Sequence, residues 1–331
     1  MNGDDRQLLA KVLERKDEKL REDWQEIQRI VDSCVFHYTN AGTLASMLNN
    51  TSKEKILMTF WASHISYMND PEEIEYGVGK MWEVLPDVEK ELSIPIGQRI
   101  TELDRKELDE LIWDRNIEEN SLTNMYSVSF SKSFDSLPMW NMYGQNGSGV
   151  CLGFDLNELN DFLNSNNKEP LMKITYGVGE YIDSLQKADE EMNIWKEYVK
   201  HVYKTNMNFI VGNFKMETEV QENVDTKIAL DNYMLLRAFV PSNIKNPAYK
   251  YEDEYRFCCR EFNNKVNYRN RNGLLLPYIE VKLPLTALKL VAIGPTADKN
   301  RQMMLVAKLL KEKASDFKSL TFYSSEIPYR L

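Results

Sequence analysis

Glu252-Asp253-Glu254-Tyr255-Arg256 brings two carboxylates and a guanidinium into five residues. If the segment is a strand, its two-residue period puts Glu252, Glu254 and Arg256 on one face and Tyr255 with Phe257 on the other. Paired carboxylates of this kind suit cleavage of a bond to a sugar, where positive charge builds on the ring. The same residues also suit a solvated strand face with an internal ion pair. A second group surrounds His37: Val35-Phe36-His37-Tyr38-Thr39 is short and rich in strand formers, yet polar at its centre. Alternation in Tyr126-Ser127-Val128-Ser129-Phe130-Ser131 gathers three hydroxyls on one side. A histidine buried and hydrogen-bonded inside a sheet accounts for His37 equally well on its own.

Other chemistries find little support. Gly77-Val78-Gly79 and Gly177-Val178-Gly179 lack the third glycine of a dinucleotide-binding turn, and no glycine-rich loop ends in Gly-Lys-Ser or Gly-Lys-Thr. His37, His64 and His201 are scattered, with no second histidine one helical turn away to complete a zinc site. No Gly-x-Ser-x-Gly elbow is present for acyl transfer. The expectation is therefore a site without metal.

These residues need a scaffold. The chain has 331 residues, 43% hydrophobic and 28% charged, within the range of folded proteins. Leu9, Leu13, Leu20, Trp24, Ile27 and Val31 recur at helical spacing and predict a long amphipathic N-terminal helix over residues 1–34, packed on its own domain or docking a protein partner. Strands are expected at Val35–Thr39, Ile56–Trp61, Tyr126–Ser131 and Val150–Phe154, the last two joined by a hairpin-like or closely packed return through Gln145-Asn146-Gly147-Ser148-Gly149. Further strands are expected at Tyr255–Cys259, Tyr278–Val281, Leu290–Ile293 and Leu320–Tyr323, with a short helix around Pro138–Tyr143 and a longer one over Lys299–Lys313. Helical insertions are expected at about 72–120, interrupted at Pro86 and Pro95, and at about 184–240. Without a regular βα alternation, the order predicts an α+β fold, with residues 35–331 as a single domain.

Composition also limits partners and compartment. A net charge of -10 argues against broad binding to a nucleic acid backbone but leaves room for a local basic groove. No apolar run is long enough to cross a bilayer, and Met1-Asn2-Gly3-Asp4-Asp5 lacks the character of a signal peptide, so a cytoplasmic protein that makes no membrane contact is expected. Cys34, Cys151, Cys258 and Cys259 show no paired CxxC spacing; Cys258 and Cys259 are expected as core packing on opposite strand faces.

Five separated groups occur in order: Phe36-His37-Tyr38-Thr39; Asn69-Asp70-Pro71-Glu72-Glu73; Ser129-Phe130-Ser131; Met139-Trp140-Asn141-Met142-Tyr143 ahead of Gly149–Phe154; and Tyr251–Arg256. That succession resembles a bacterial domain family of unknown function found around phage-defence and abortive-infection loci, whose motif order is similar to that of ADP-ribosyltransferases. The resemblance runs from about Val35 to the terminal Ser325–Arg330. It implies an ADP-ribosyltransferase-like split-sheet core and NAD as substrate. It also implies a transferase or NAD glycohydrolase acting as an anti-phage or toxin effector, with a protein, nucleic acid, small molecule or water as acceptor. By that resemblance Glu254 is the catalytic carboxylate and Glu252 its companion, as in the two-glutamate form of the last motif. His37, Tyr38 and Thr39 form one wall of the nucleotide pocket, and Ser129 with Ser131 supplies the hydroxyl motif. Tyr38, Trp140 or Tyr143 stacks on nicotinamide, and Arg256 pairs with the pyrophosphate or with a neighbouring glutamate. The alternative is a non-catalytic sensor or antitoxin that keeps the fold and binds a nucleotide or a protein.

Overall fold

A computed structural model of the chain describes residues 24–49, 57–68, 70, 72–108, 110, 124–178, 185–213, 224–261, 264–271, 273–296, 298–313 and 320–329. Helices and strands are mixed, and strands pair in both parallel and antiparallel senses. The chain divides into two compact units: Met1–Phe60, Ser129–Leu171 and Lys282–Leu331 form the first, and Trp61–Val128 with Met172–Val281 the second. The changes of unit at 60–61, 128–129 and 281–282 fall inside the strands β2 (Leu57–His64), β3 (Met125–Ser131) and β10 (Leu274–Pro284), so no linker-like sequence marks them.

In the first unit, β1 (Cys34–Thr39) is antiparallel to β4 (Val150–Asp155), with pairs running from Cys34 opposite Asp155 to Thr39 opposite Val150. Its other edge meets β3, where Phe36 faces Ser131. The hairpin-like return expected between β3 and β4 is not formed, because β1 lies between them. Two short helices leave these strands through side-chain caps. Asn40 accepts the Thr43 amide at the start of α2 (Ala41–Leu48), and Asp155 accepts the Glu158 amide at the start of α5 (Leu156–Ser165). β4 continues to β11 (Leu288–Ile293), and β11 pairs in parallel with β12 (Thr321–Ser324), the connection carrying the helix α8 (Lys299–Lys313). Central strands covered on both faces read as continuous apolar runs, as β4 does, whereas β1 carries His37 in its middle. Gly153 is required by this closeness: a Cβ there would lie 2.9 Å from the Phe36 ring and 3.1 Å from Leu290. One face of the sheet collects Phe60, Phe130 and Phe154, whose ring centroids lie 5.7 to 6.0 Å apart. Of the helix expected over residues 1–34, residues 24–33 are helical (α1), Cys34 already belongs to β1, and residues 1–23 lie outside the described residues.

The second unit has a helical core. α3 (Glu73–Glu91), α6 (Leu185–Asn213) and α7 (Val224–Phe239) bury Val78, Met81, Leu85, Val88, Val199, Tyr203, Tyr233 and Leu236 together. These helices occupy the two expected insertions, of which residues 109, 111–120, 184 and 214–223 lie outside the described residues. Pro86 does not interrupt α3 as expected; it sits on the exposed side of a continuous helix. A proline inside a helix costs about 3 kcal/mol. Two or more fully buried aliphatic side chains on the opposite face, at about 1.5 to 3 kcal/mol each, offset it. Around this core lie β5 (Met172–Lys173) antiparallel to β8 (Glu254–Arg260), β6 (Thr175–Tyr176) parallel to β7 (Ile244–Lys245), and the hairpin of β9 (Val266–Arg271) with β10. Sequence reasoning did not predict β9, whose Asn and Arg content hides it. Among the described residues, no helix is long and apolar enough to cross a membrane.

Candidate functional site

The carboxylate motif forms at a bend. Asn246 caps a 3-10 turn, Pro247–Glu252, by accepting from the Ala248 amide at 2.9 Å, with Pro247 at the first position. Asp253 then takes a left-handed conformation, φ 39° and ψ 59°, which Asp tolerates better than most residues. Glu252 therefore ends the turn and Glu254 begins β8, rather than both lying on one strand face as the alternation predicts. They still converge, on Lys245 of β7. Its Nζ donates to Glu252 Oε2 at 2.6 Å and to Glu254 Oε2 at 3.4 Å.

Arg256 grips Glu254 with two parallel bonds, Nε to Oε1 at 2.6 Å and Nη2 to Oε2 at 2.8 Å, and its Nη1 donates to the Ser242 carbonyl at 3.3 Å. This fork geometry is available to Arg and not to Lys. Glu252, Glu254 and Lys245 are each 3% exposed and Arg256 is fully buried. Tyr176 completes the shell: its hydroxyl accepts the Glu254 amide at 2.8 Å, and burial, then the Glu254 charge, push its phenol well above the usual range. Lys245 also sits 4.9 Å from the centre of the Tyr249 ring. Lys245 and Tyr176 were missed by sequence reasoning. The available signal was a lone lysine beside Ile244 and ahead of the Asn246-Pro247 turn, nine positions before Glu254.

The residues predicted to bind nucleotide belong, apart from Arg256, to the first unit. His37 donates from Nδ1 to the Ser129 carbonyl at 3.0 Å, and its ring stands edge-on to Phe60 at 5.2 Å. Burial pulls its pKa below the ordinary imidazole value, so the ring is held neutral. Tyr38 donates to the Ser133 carbonyl at 2.7 Å and accepts from the Ser136 amide at 3.2 Å. Its ring packs edge-on against Trp140, which is fully buried and donates to Asp135 at 2.8 Å. Tyr38 and Trp140 are thus core members that shape the turn after β3. Ser131 accepts from the Ser133 amide at 2.9 Å, whereas the buried Ser129 hydroxyl has no hydrogen-bond partner among the described residues. Thr39 is buried at the end of β1, and Tyr143 is half-buried at the end of the short helix α4 (Leu137–Met142). Cys258 and Cys259 are only half-buried, not the core packing expected of them. The structure therefore brings Glu252, Glu254 and Arg256 together in one unit, and His37, Tyr38, Ser129, Ser131 and Trp140 into the other.

Among the described residues, no three His, Cys, Asp or Glu side chains gather as a metal site. Residues 139–257, from Met139 to Phe257, match a family model described as a protein of unknown function (DUF2971), so this part of the chain is similar to that family. The matched segment includes Trp140, Lys245 and the whole Glu252–Arg256 group. No curated protein and no solved structure matches the chain.

Proposed function

We propose that the chain is an NAD-consuming enzyme, an ADP-ribosyltransferase or NAD glycohydrolase, in which Glu254 faces the anomeric carbon of the nicotinamide ribose. The observation that carries this proposal is a pair of carboxylates, each 3% exposed, sharing one buried lysine. Buried ion networks are poor stabilising devices, since well-packed apolar side chains of similar volume often do as well or better. Charged groups kept at that cost are candidates for chemistry.

Breaking the bond between ribose and nicotinamide sends its electron pair to nicotinamide, which leaves neutral, and develops positive charge on the sugar. A carboxylate already ionised and oriented stabilises that charge without reorganising. Arg256 supplies the orientation through its two bonds to Glu254, which favours the ion-pair role over pyrophosphate binding. In this reading Glu252 accepts the proton released when water or another acceptor attacks the anomeric carbon.

The same bidentate grip favours a second reading, a non-catalytic sensor that binds a nucleotide or protein partner, because both Glu254 oxygens are engaged. Incubation of the purified full chain with NAD separates the two. The enzyme releases nicotinamide, and Glu254→Gln lowers the rate by about a hundredfold or more. Release unchanged in that variant removes Glu254 from the chemistry, and absence of release by a folded chain that binds NAD establishes the sensor.

A further inference from the structure

The β9–β10 hairpin lies outside that proposal. Trp61, 40% exposed, packs against Tyr278 in a tilted pair with ring centroids 4.8 Å apart at 38°. The Arg269 guanidinium lies over the Trp61 ring at 5.5 Å and is held there by a 2.8 Å bond from Nη2 to the Ser63 hydroxyl. Its Nε is buried and has no hydrogen-bond partner among the described residues. Register places Tyr278 opposite Asn267 and Leu276 opposite Arg269, so Asn267, Arg269 and Arg271 share the face that carries the Tyr278 ring. Arg271 stands close enough to depress the pKa of Arg269 further, after burial. From Asn264 to Tyr278 the sequence carries Lys265, Arg269 and Arg271 and no acid, within a chain of net charge -10. Two neighbouring guanidiniums beside an open indole are complementary to an anion bearing a flat ring.

We propose that this face, built from Trp61, Tyr278, Asn267, Arg269 and Arg271, binds single-stranded nucleic acid. A base stacks on the exposed side of Trp61, Asn267 offers its amide to the base edge, and the arginines and Lys265 hold the adjoining phosphates. Aromatic stacking requires unpaired bases, so a duplex engages the cations alone. The acidic remainder of the chain keeps binding confined to the hairpin.

The test is fluorescence anisotropy of the full chain with labelled oligouridylate and oligothymidylate of about 20 nucleotides, longer than a typical site. A duplex of equal length and anionic phospholipid vesicles serve as competitors, and salt is varied from about 50 to 200 mM. Single strands bind more tightly than duplex; Trp61→Ala weakens binding about tenfold or more, and Trp61→Phe restores most of it. Arg271→Gln, an exposed position, reduces the salt slope by about one. No binding at the lowest salt, equal affinity for duplex, displacement by vesicles, or binding unchanged in both Trp61→Ala and Arg271→Gln overturns the proposal. Nicotinamide release, followed in the same variants, is independent of this surface and reports on Glu254 separately.

Discussion

Both units place polar side chains within or beside otherwise apolar strands, and they do it in opposite ways. His37 and Tyr38 are neutral and satisfy themselves on backbone groups, the carbonyls of Ser129 and Ser133. Glu252, Glu254, Lys245 and Arg256 are ionic and satisfy one another across a bend. A neutral hydrogen bond to backbone contributes about 0.5 to 1.5 kcal/mol net and leaves a modest penalty when removed. A buried ion that loses its partner cannot be rehydrated without opening the fold. The contrast separates a unit whose polar groups are compatible with ordinary packing from one whose charges ask for a further explanation.

Arg256→Ala strikes the ionic side hardest. It leaves Glu254 without its two shortest side-chain bonds and should destabilise the second unit by about 3 to 5 kcal/mol, measured as a shift of the urea midpoint. A loss below about 1 kcal/mol would mean that the network is already solvated. Next comes Tyr38→Phe, which removes a donor to Ser133 and an acceptor for Ser136 while keeping the ring against Trp140. The expected cost is about 1 to 3 kcal/mol, because two backbone groups lose their partner. A neutral outcome would place water at the vacated position and weaken the contrast.

A milder effect concerns pH. Burial lowers the pKa of both His37 and His64 below the ordinary value of 6.5. His64 accepts the Ser66 amide at Nδ1, so its proton sits on Nε2, facing Asn124. A histidine with a lowered pKa binds fewer protons folded than unfolded. Its stabilising contribution is therefore complete above pH 6.5 and is lost as the pH falls from there through the folded pKa. Urea midpoints should decline from about pH 7.5 to about pH 5.5, and His37→Gln should flatten part of the decline. A midpoint that rises on acidification would show that the imidazoles are not kept neutral.

Much of the architecture was legible in the chain. The strand at His37, the serine strand, the helix over Lys299–Lys313 and the closing strands follow from periodicity, which depends on local pattern alone. The ion pair between Glu254 and Arg256 follows from their two-residue separation on a strand. Periodicity did not reveal that Pro86 continues a helix, since the compensation comes from side chains on α6 and α7 far away in sequence. Nor did it reveal β9, whose polar residues pair with β10 as a hairpin.

Residue order alone settles which positions can carry charge, where strands and helices are favoured, and that Glu254 and Arg256 can share one strand face. Packing adds what no local pattern holds. Asp253 bends the chain between the two glutamates, Lys245 joins them from another strand, and Tyr38 and Trp140 are held inside the core. The division follows from the range of the forces involved. Local pattern reports backbone preference over a few residues, whereas burial and charge compensation depend on groups that meet only when distant segments pack.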